Sequence, residues 1–138
     1  MSLISIAKLF GWIVVIGYAV ALMNYFVKQI NKKYVSKLPK EQKKFKDFYM
    51  KIMKFVIKNH KTIGILTSLI IICHFIIIFI KEGISITGLI AVVIMLLVFL
   101  LGIFGAYFNK SKERNWVKIH RALAFALVLA IPAHLMFK

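Results

Sequence analysis

The sequence predicts an all-α fold, a four-helix transmembrane bundle, from three observations. The 138-residue chain is 62% hydrophobic, whereas soluble domains are about 45–50% apolar. Its apolar residues fall into four long runs, each close to the roughly 20 residues that a helix needs to cross a bilayer. Most charged residues lie between these runs. We therefore expect a single membrane domain over residues 1–138.

The four runs predict four helices joined mostly by short links. The third run carries no charged residue, and the fourth begins behind Trp116, a residue type favoured at membrane interfaces. The link Lys81-Glu82-Gly83 is short enough to predict an antiparallel hairpin of helices two and three. The predicted helices cover about 4–27, 50–80, 84–108 and 116–137. The basic connection between the first two covers 28–49.

The basic connection runs into an amphipathic segment. From Phe45 to Val56, apolar residues recur at three- and four-residue steps, and lysines fill the opposite face. Pro39 marks a position where a helix can start, because proline is tolerated in a first helical turn. The segment either extends helix two at the membrane interface or forms a docking surface for a partner. The pattern is compatible with both.

The positive charge is concentrated on two of the three connections. The net charge is +16, with twelve lysines from Lys28 to Lys61 and five Lys or Arg residues from Lys110 to Arg121. The charged residues of the remaining link are Lys81 and Glu82 alone. Under the positive-inside rule, the basic connections face the cytoplasm and both termini face outward. This placement predicts a multi-pass plasma-membrane protein in contact with anionic lipids, and not a nucleic-acid binder.

The four histidines share one spacing. His60 and His74 are 14 residues apart in the second predicted helix, and His120 and His134 are 14 apart in the fourth. Fourteen helical residues turn through about 1400°, close to four full turns, and rise about 21 Å. Each pair therefore lies on one face of its helix. Because both helices run in the same direction, His60 and His120 share the inner half of the membrane, and His74 and His134 share the outer half.

Two histidines facing each other at one depth of a bundle are typical axial ligands of a haem. We therefore predict two stacked haem sites and two haem b per chain. The metal ligands are His60 with His120 on the inner side and His74 with His134 on the outer side. One zinc or copper ion cannot take all four, since the levels lie about 21 Å apart. Histidines in membrane helices also serve as packing residues or in proton paths.

Small residues beside the histidines are candidate cofactor-binding residues. Gly64, Ala124 and Ala130 each lie four residues from a histidine. They leave room for a flat macrocycle, although close helix packing also favours small residues. Thr67 lies between the two levels. We predict no catalytic side chain.

Haem propionates are anionic and need cationic or polar partners. Lys61 and Arg121 each follow an inner histidine directly and are candidates for the inner haem. Lys81 and Lys138 are weaker candidates for the outer haem. Cations of this kind are also common at membrane edges.

Two segments resemble known cytochromes. His60-Lys61-Thr62-Ile63-Gly64 looks like the His-Lys-x-x-Gly stretch of prokaryotic cytochrome b561. Trp116-Val117-Lys118-Ile119-His120-Arg121, followed by His134, looks like the haem helix of that family and of the ferric reductase/NADPH oxidase transmembrane domain. The resemblance covers helices two to four and implies a minimal di-haem cytochrome b. Bacterial cytochrome b561 usually takes one ligand from helix one, so the ligand pattern here is closer to ferric reductases, although we expect no flavin or nicotinamide domain.

The expected function is transmembrane electron transfer, because a haem with two histidine ligands has no open axial position for a substrate. The donor is expected to be a cytoplasmic-side flavoprotein or a quinol, and the acceptor lies outside. Two alternatives stay open. One is a stand-alone oxidoreductase acting on quinol, ferric iron or oxygen/superoxide, and the other is a haem-free structural membrane protein. Homo- and hetero-oligomers are both compatible with these functions.

Overall fold

A computed structural model of the protein describes residues 2–109 and 114–137, and the secondary structure there is helical, with no strand. The predicted all-α fold with four apolar helices is confirmed, and the two haem sites stay a prediction. The four long helices are α1 (Leu3–Lys33), α2 (Lys43–Glu82), α3 (Ile86–Ile103) and α4 (Asn115–Met136).

Each of the four helices is long and apolar enough to cross a membrane. Their outward faces carry large apolar side chains in contact with the surroundings, such as Leu129, which is 76% exposed. An exterior of this kind suits lipid hydrocarbon better than water. The chain is therefore a membrane protein by the length, composition and surface of its helices, while the side of the membrane that each end faces stays a prediction.

The first two helices are longer than the sequence predicts. The Tyr49 hydroxyl donates a 2.8 Å hydrogen bond to the Val27 carbonyl, and Val27 is buried with Met53 and Val56. The amphipathic segment is therefore the first part of α2 and packs against the end of α1. Two short 3₁₀ turns, Val35–Lys37 and Lys40–Gln42, join them. We call residues 28–59 the basic hairpin.

The opposite end of α2 closes in a tight turn. Gly83 has a φ of 84°, a left-handed conformation that favours glycine. Ser85 then caps α3, because its hydroxyl accepts a 3.4 Å hydrogen bond from the Gly88 amide. This turn lets α3 return alongside α2, as the short link predicts.

An apolar core lies in the middle of the bundle. All four helices contribute to it, and Leu127 is its most buried side chain at 1% exposure. The core is formed by Val14, Ile71, Val92, Met95 and Leu127. It separates two cavities, one toward each end of the bundle.

Candidate functional site

The first cavity lies next to the basic hairpin and contains His60 and His120. Its volume is about 620 Å³. The two imidazole rings are half-buried, their centres are 6.4 Å apart, and their planes meet at 81°. We call them the basic-end pair. The structure thus brings the side chains of His60 in α2 and His120 in α4 together at the level that the sequence predicts as the inner one.

The second cavity lies next to the turn at Gly83 and contains His74 and His134. We call these two residues the turn-end pair. The cavity has a volume of about 170 Å³, much smaller than that of the basic end. Each histidine of α2 therefore shares a cavity with the histidine of α4 that the 14-residue spacing assigns to it.

Three of the four histidines hydrogen bond to a backbone carbonyl through Nδ1. A carbonyl can only accept, so Nδ1 carries the proton and Nε2 keeps an unprotonated lone pair. This is the tautomer in which a histidine binds a metal through Nε2, while its other nitrogen donates to an acceptor. The three bonds are His60 to Ala21 (3.1 Å), His74 to Ala7 (2.7 Å) and His120 to Val98 (3.0 Å).

The fourth histidine has a hydroxyl partner at Nδ1. The Nδ1 atom of His134 lies 3.3 Å from the Thr87 hydroxyl, which lies 3.0 Å from the hydroxyl of Ser85. Because a hydroxyl can donate or accept, it does not impose a tautomer as a carbonyl does. Since Ser85 also caps α3, the orientation of His134 is linked to the first turn of that helix.

Glycines let α1 and α3 approach the imidazoles closely. A Cβ atom at Gly88 would lie 2.9 Å from Cε1 of His134, and one at Gly102 would lie 3.5 Å from Cε1 of His120. At Gly11 the corresponding distance to Cε1 of His74 would be 3.1 Å. A larger residue at position 88 or 11 would therefore displace a histidine ring.

The contacts from α1 and α3 repeat the histidine spacing, which sequence reasoning missed. Ala7 and Ala21, whose carbonyls accept from the histidines of α2, are 14 residues apart. Gly88 and Gly102, which face the histidines of α4, are also 14 residues apart. A search for small residues at that period would have found both pairs.

Positive charge lines the basic-end cavity. Among the described residues, four cations and no carboxylate line it: Lys28, Lys61, Arg114 and Arg121. Two of them lie over aromatic rings, with the Lys61 ammonium 5.2 Å from the centre of Tyr107 and the Arg121 guanidinium 5.3 Å from that of Tyr25. In the described part of the chain, the buried Oδ1 atom of Asn24 in the same cavity has no hydrogen-bond partner. The cavity therefore suits a polar, anionic ligand.

The predicted small residues divide between cavity and core. Gly64 and Ala124 line the basic-end cavity, as does the buried Thr67, which contacts Gly17. Ala130 lines neither cavity and packs against the apolar core. Its expected role of leaving room for a macrocycle has no support in the packing.

The predicted cations lie in the basic-end cavity in some cases and outside both cavities in others. Lys61 and Arg121 line the basic-end cavity. Lys81 is exposed in the last turn of α2 and does not line the turn-end cavity. Lys138 lies outside the described residues.

Trp116, expected only at the membrane interface, also contacts the candidate site. Its ring lies beside Gly105, where a side chain would overlap it, and its centre is 6.3 Å from that of His120. Gly105 belongs to a π-helical turn, Phe104–Phe108, that follows α3. Such turns often occur at functional sites, and this one makes room for the indole that contacts the histidine.

Comparison with known protein families, with curated proteins and with solved structures gives no match for the chain. The fold and the site alone therefore define its class, a helical membrane protein with two histidine pairs in two cavities. No cluster of three or more His, Cys, Asp or Glu side chains suited to a metal ion occurs in residues 2–109 and 114–137. Within this part of the chain, each histidine pair would offer a metal ion two imidazole ligands.

Proposed function

We propose that the protein carries electrons across the membrane through two b-type haems, each held between two histidines. The observation that carries this proposal is the distance between the rings of the basic-end pair, 6.4 Å between centres. With metal–nitrogen bonds of about 2.0 Å and about 1.1 Å from nitrogen to ring centre, the centres of two imidazoles on opposite sides of one iron would be roughly 6.2 Å apart. The spacing fits one iron between His60 and His120.

The hydrogen bonds of the histidines support the same proposal. His60, His74 and His120 each donate from Nδ1 to a carbonyl, which leaves Nε2 as the coordinating atom. Such a partner also fixes the direction of the ring and makes the nitrogen a better donor to the metal. Histidines that served only as packing residues would not need an unprotonated Nε2 at both levels.

The basic-end cavity fits a haem better than the turn-end cavity does. Ligand cavities usually have volumes of about 300–1,000 Å³, and the basic-end cavity, at about 620 Å³, lies within this range. Its four cations would neutralise anionic propionates. The turn-end cavity, at about 170 Å³, is smaller, so the proposal there rests on the histidines alone.

A haem with two histidine ligands supplies one-electron transfer and has no open axial position. The task of the chain is to fix the two levels and to keep water from between them. In α2 and α4 the histidines are about 21 Å apart along the helix axis, most of the roughly 30 Å hydrocarbon core. Leu127 and its neighbours fill the space between the levels with apolar side chains. We propose a flavoprotein or quinol donor at the basic end and an acceptor at the turn end.

The proposal is tested by measuring haem in the purified protein. We expect two haem b per chain by the pyridine haemochrome assay and two one-electron components in a redox titration. A colourless protein, or a stoichiometry well below two after reconstitution with added haemin, would contradict the proposal. An absorbance spectrum that changes with carbon monoxide would also contradict it, because it would indicate an open axial position.

A further inference from the structure

A stripe of large apolar side chains is exposed on the basic hairpin. Phe45, Phe48, Ile52 and Phe55 follow each other at steps of three or four residues, so they share one face of α2. The three phenylalanines are 55%, 61% and 67% exposed. A contiguous apolar surface of this kind marks an interaction site.

Lysines border this stripe. Lys44, Lys51 and Lys58 are exposed and lie seven residues apart, which places them in one column along the helix beside the phenylalanines. The whole hairpin contains eleven lysines against two acidic residues, Glu41 and Asp47. The surface therefore combines an apolar stripe with a column of positive charge along one side.

The stripe rises away from the bundle. The Lys61 ammonium lies over the Tyr107 ring, so α3 and its π-helical turn end near the level of Lys61. From there α2 continues to Lys43, a further 18 residues or about 27 Å. A membrane-surface helix lies in the plane of the interface, whereas this segment continues a spanning helix and is held to α1 by the bond between Tyr49 and Val27. The geometry favours a soluble partner over lipid.

We propose that the stripe and the lysine column form the docking surface for a small acidic soluble redox protein, which serves as the donor in the proposed function on which this inference rests. Acidic groups would match the lysine column, and an apolar patch would cover the phenylalanines. A second copy of the chain is disfavoured because the two hairpins repel each other. Phe55 precedes His60 by five residues, about 7.5 Å along the helix, so the partner binds beside the basic-end pair.

The test uses the full-length protein in nanodiscs of neutral phosphatidylcholine and flavodoxin, a small acidic flavin protein, as the probe. We expect saturable binding at low ionic strength. The combined change Lys44→Glu, Lys51→Glu and Lys58→Glu should weaken it about tenfold or more. The matched control Lys33→Glu, Lys37→Glu and Lys40→Glu carries the same charge change away from the stripe and should stay within about threefold of the wild type.

A second pair of variants tests the apolar stripe. Phe45→Ser with Phe48→Ser should weaken binding about fivefold or more, whereas Tyr34→Ser, an exposed hairpin residue off the stripe, should not. Haem content should be unchanged in all of these variants.

Three outcomes would overturn the docking surface. They are the absence of saturable binding to the wild type, an equal loss with both lysine triples, and quenching by brominated anionic lipid in Phe48→Trp that exceeds the quenching of Trp12 and Trp116 in the wild type. The last outcome would place the stripe in the membrane. Binding is measured with or without haem, so a colourless protein that binds at the stripe would contradict the proposed function and leave the docking surface standing.

Discussion

The two histidine levels use the same ligand spacing in unlike surroundings. At the basic end, both histidines donate to carbonyls and four cations line a cavity of about 620 Å³. At the turn end, one histidine contacts a hydroxyl, and Lys8 is the single cation among the described residues that line a cavity of about 170 Å³. Helix periodicity thus places the histidines at both levels, while the neighbouring helices decide how much space and charge surround them.

The largest expected effect is the loss of one haem on removing one ligand. His60→Ala or His120→Ala should remove the basic-end haem and leave the other, and His74→Ala or His134→Ala should do the reverse. Under the proposed function, each variant should contain about one haem per chain, because two histidines from different helices would hold each iron. Haem stoichiometry and the number of redox components measure this. Loss of both haems, or of neither, would contradict the pairing.

A smaller effect is expected from adding one methyl group at each level. In Gly88→Ala the new Cβ would lie 2.9 Å from Cε1 of His134, so the ring must shift, whereas in Gly102→Ala the contact with His120 would be an ordinary 3.5 Å. Overpacking costs about 1–3 kcal/mol. We expect Gly88→Ala to reduce turn-end haem occupancy and Gly102→Ala to leave the basic end intact, as measured by haem content. A greater loss in Gly102→Ala would show that the turn end is the more tolerant level.

Much of the fold could be predicted because membrane helices are specified locally. Four apolar runs predict four helices, and the structure has them. The amphipathic pattern from Phe45 to Val56 predicts a helical extension of helix two, and α2 does begin at Lys43. The tertiary contact that holds this extension could not be predicted. Tyr49 bonds to Val27, 22 residues away, and the amphipathic pattern alone does not reveal that partner.

The candidate site was predictable to the extent that side chains define it. The four histidines are visible in the sequence because they are few and evenly spaced. The acceptors at Ala7 and Ala21 are backbone carbonyls, which every residue has, so their identity carries no signal beyond the 14-residue period. The small turn-end volume depends on how α1 and α3 pack, and no local pattern encodes it.

Removing one positive charge should change the midpoint potential at one level and not at the other. Arg121 lines the basic-end cavity, and its charge would favour the reduced form of a haem bound there, which is the less positive form. Arg121→Gln should therefore lower the midpoint potential of the basic-end component by tens of millivolts and leave the other unchanged. Lys118→Gln, an exposed change on α4 away from both cavities, is the matched control. An equal shift of both components would show that the charge acts on the whole bundle.

The smallest effect is expected from the hydroxyl beside His134. Thr87→Val removes the group that contacts Nδ1 and nearly preserves the side-chain volume, whereas Thr87→Ser keeps the hydroxyl. A hydrogen bond of this kind contributes about 0.5–1.5 kcal/mol, which corresponds to about a two- to tenfold change in affinity. We therefore expect Thr87→Val to release the turn-end haem to apomyoglobin more readily, with Thr87→Ser close to the wild type. The basic-end haem, whose histidines donate to carbonyls, should be unaffected by either change. Equal behaviour of the two variants would mean that the packing of α3 against α4, and not the hydroxyl, orients His134.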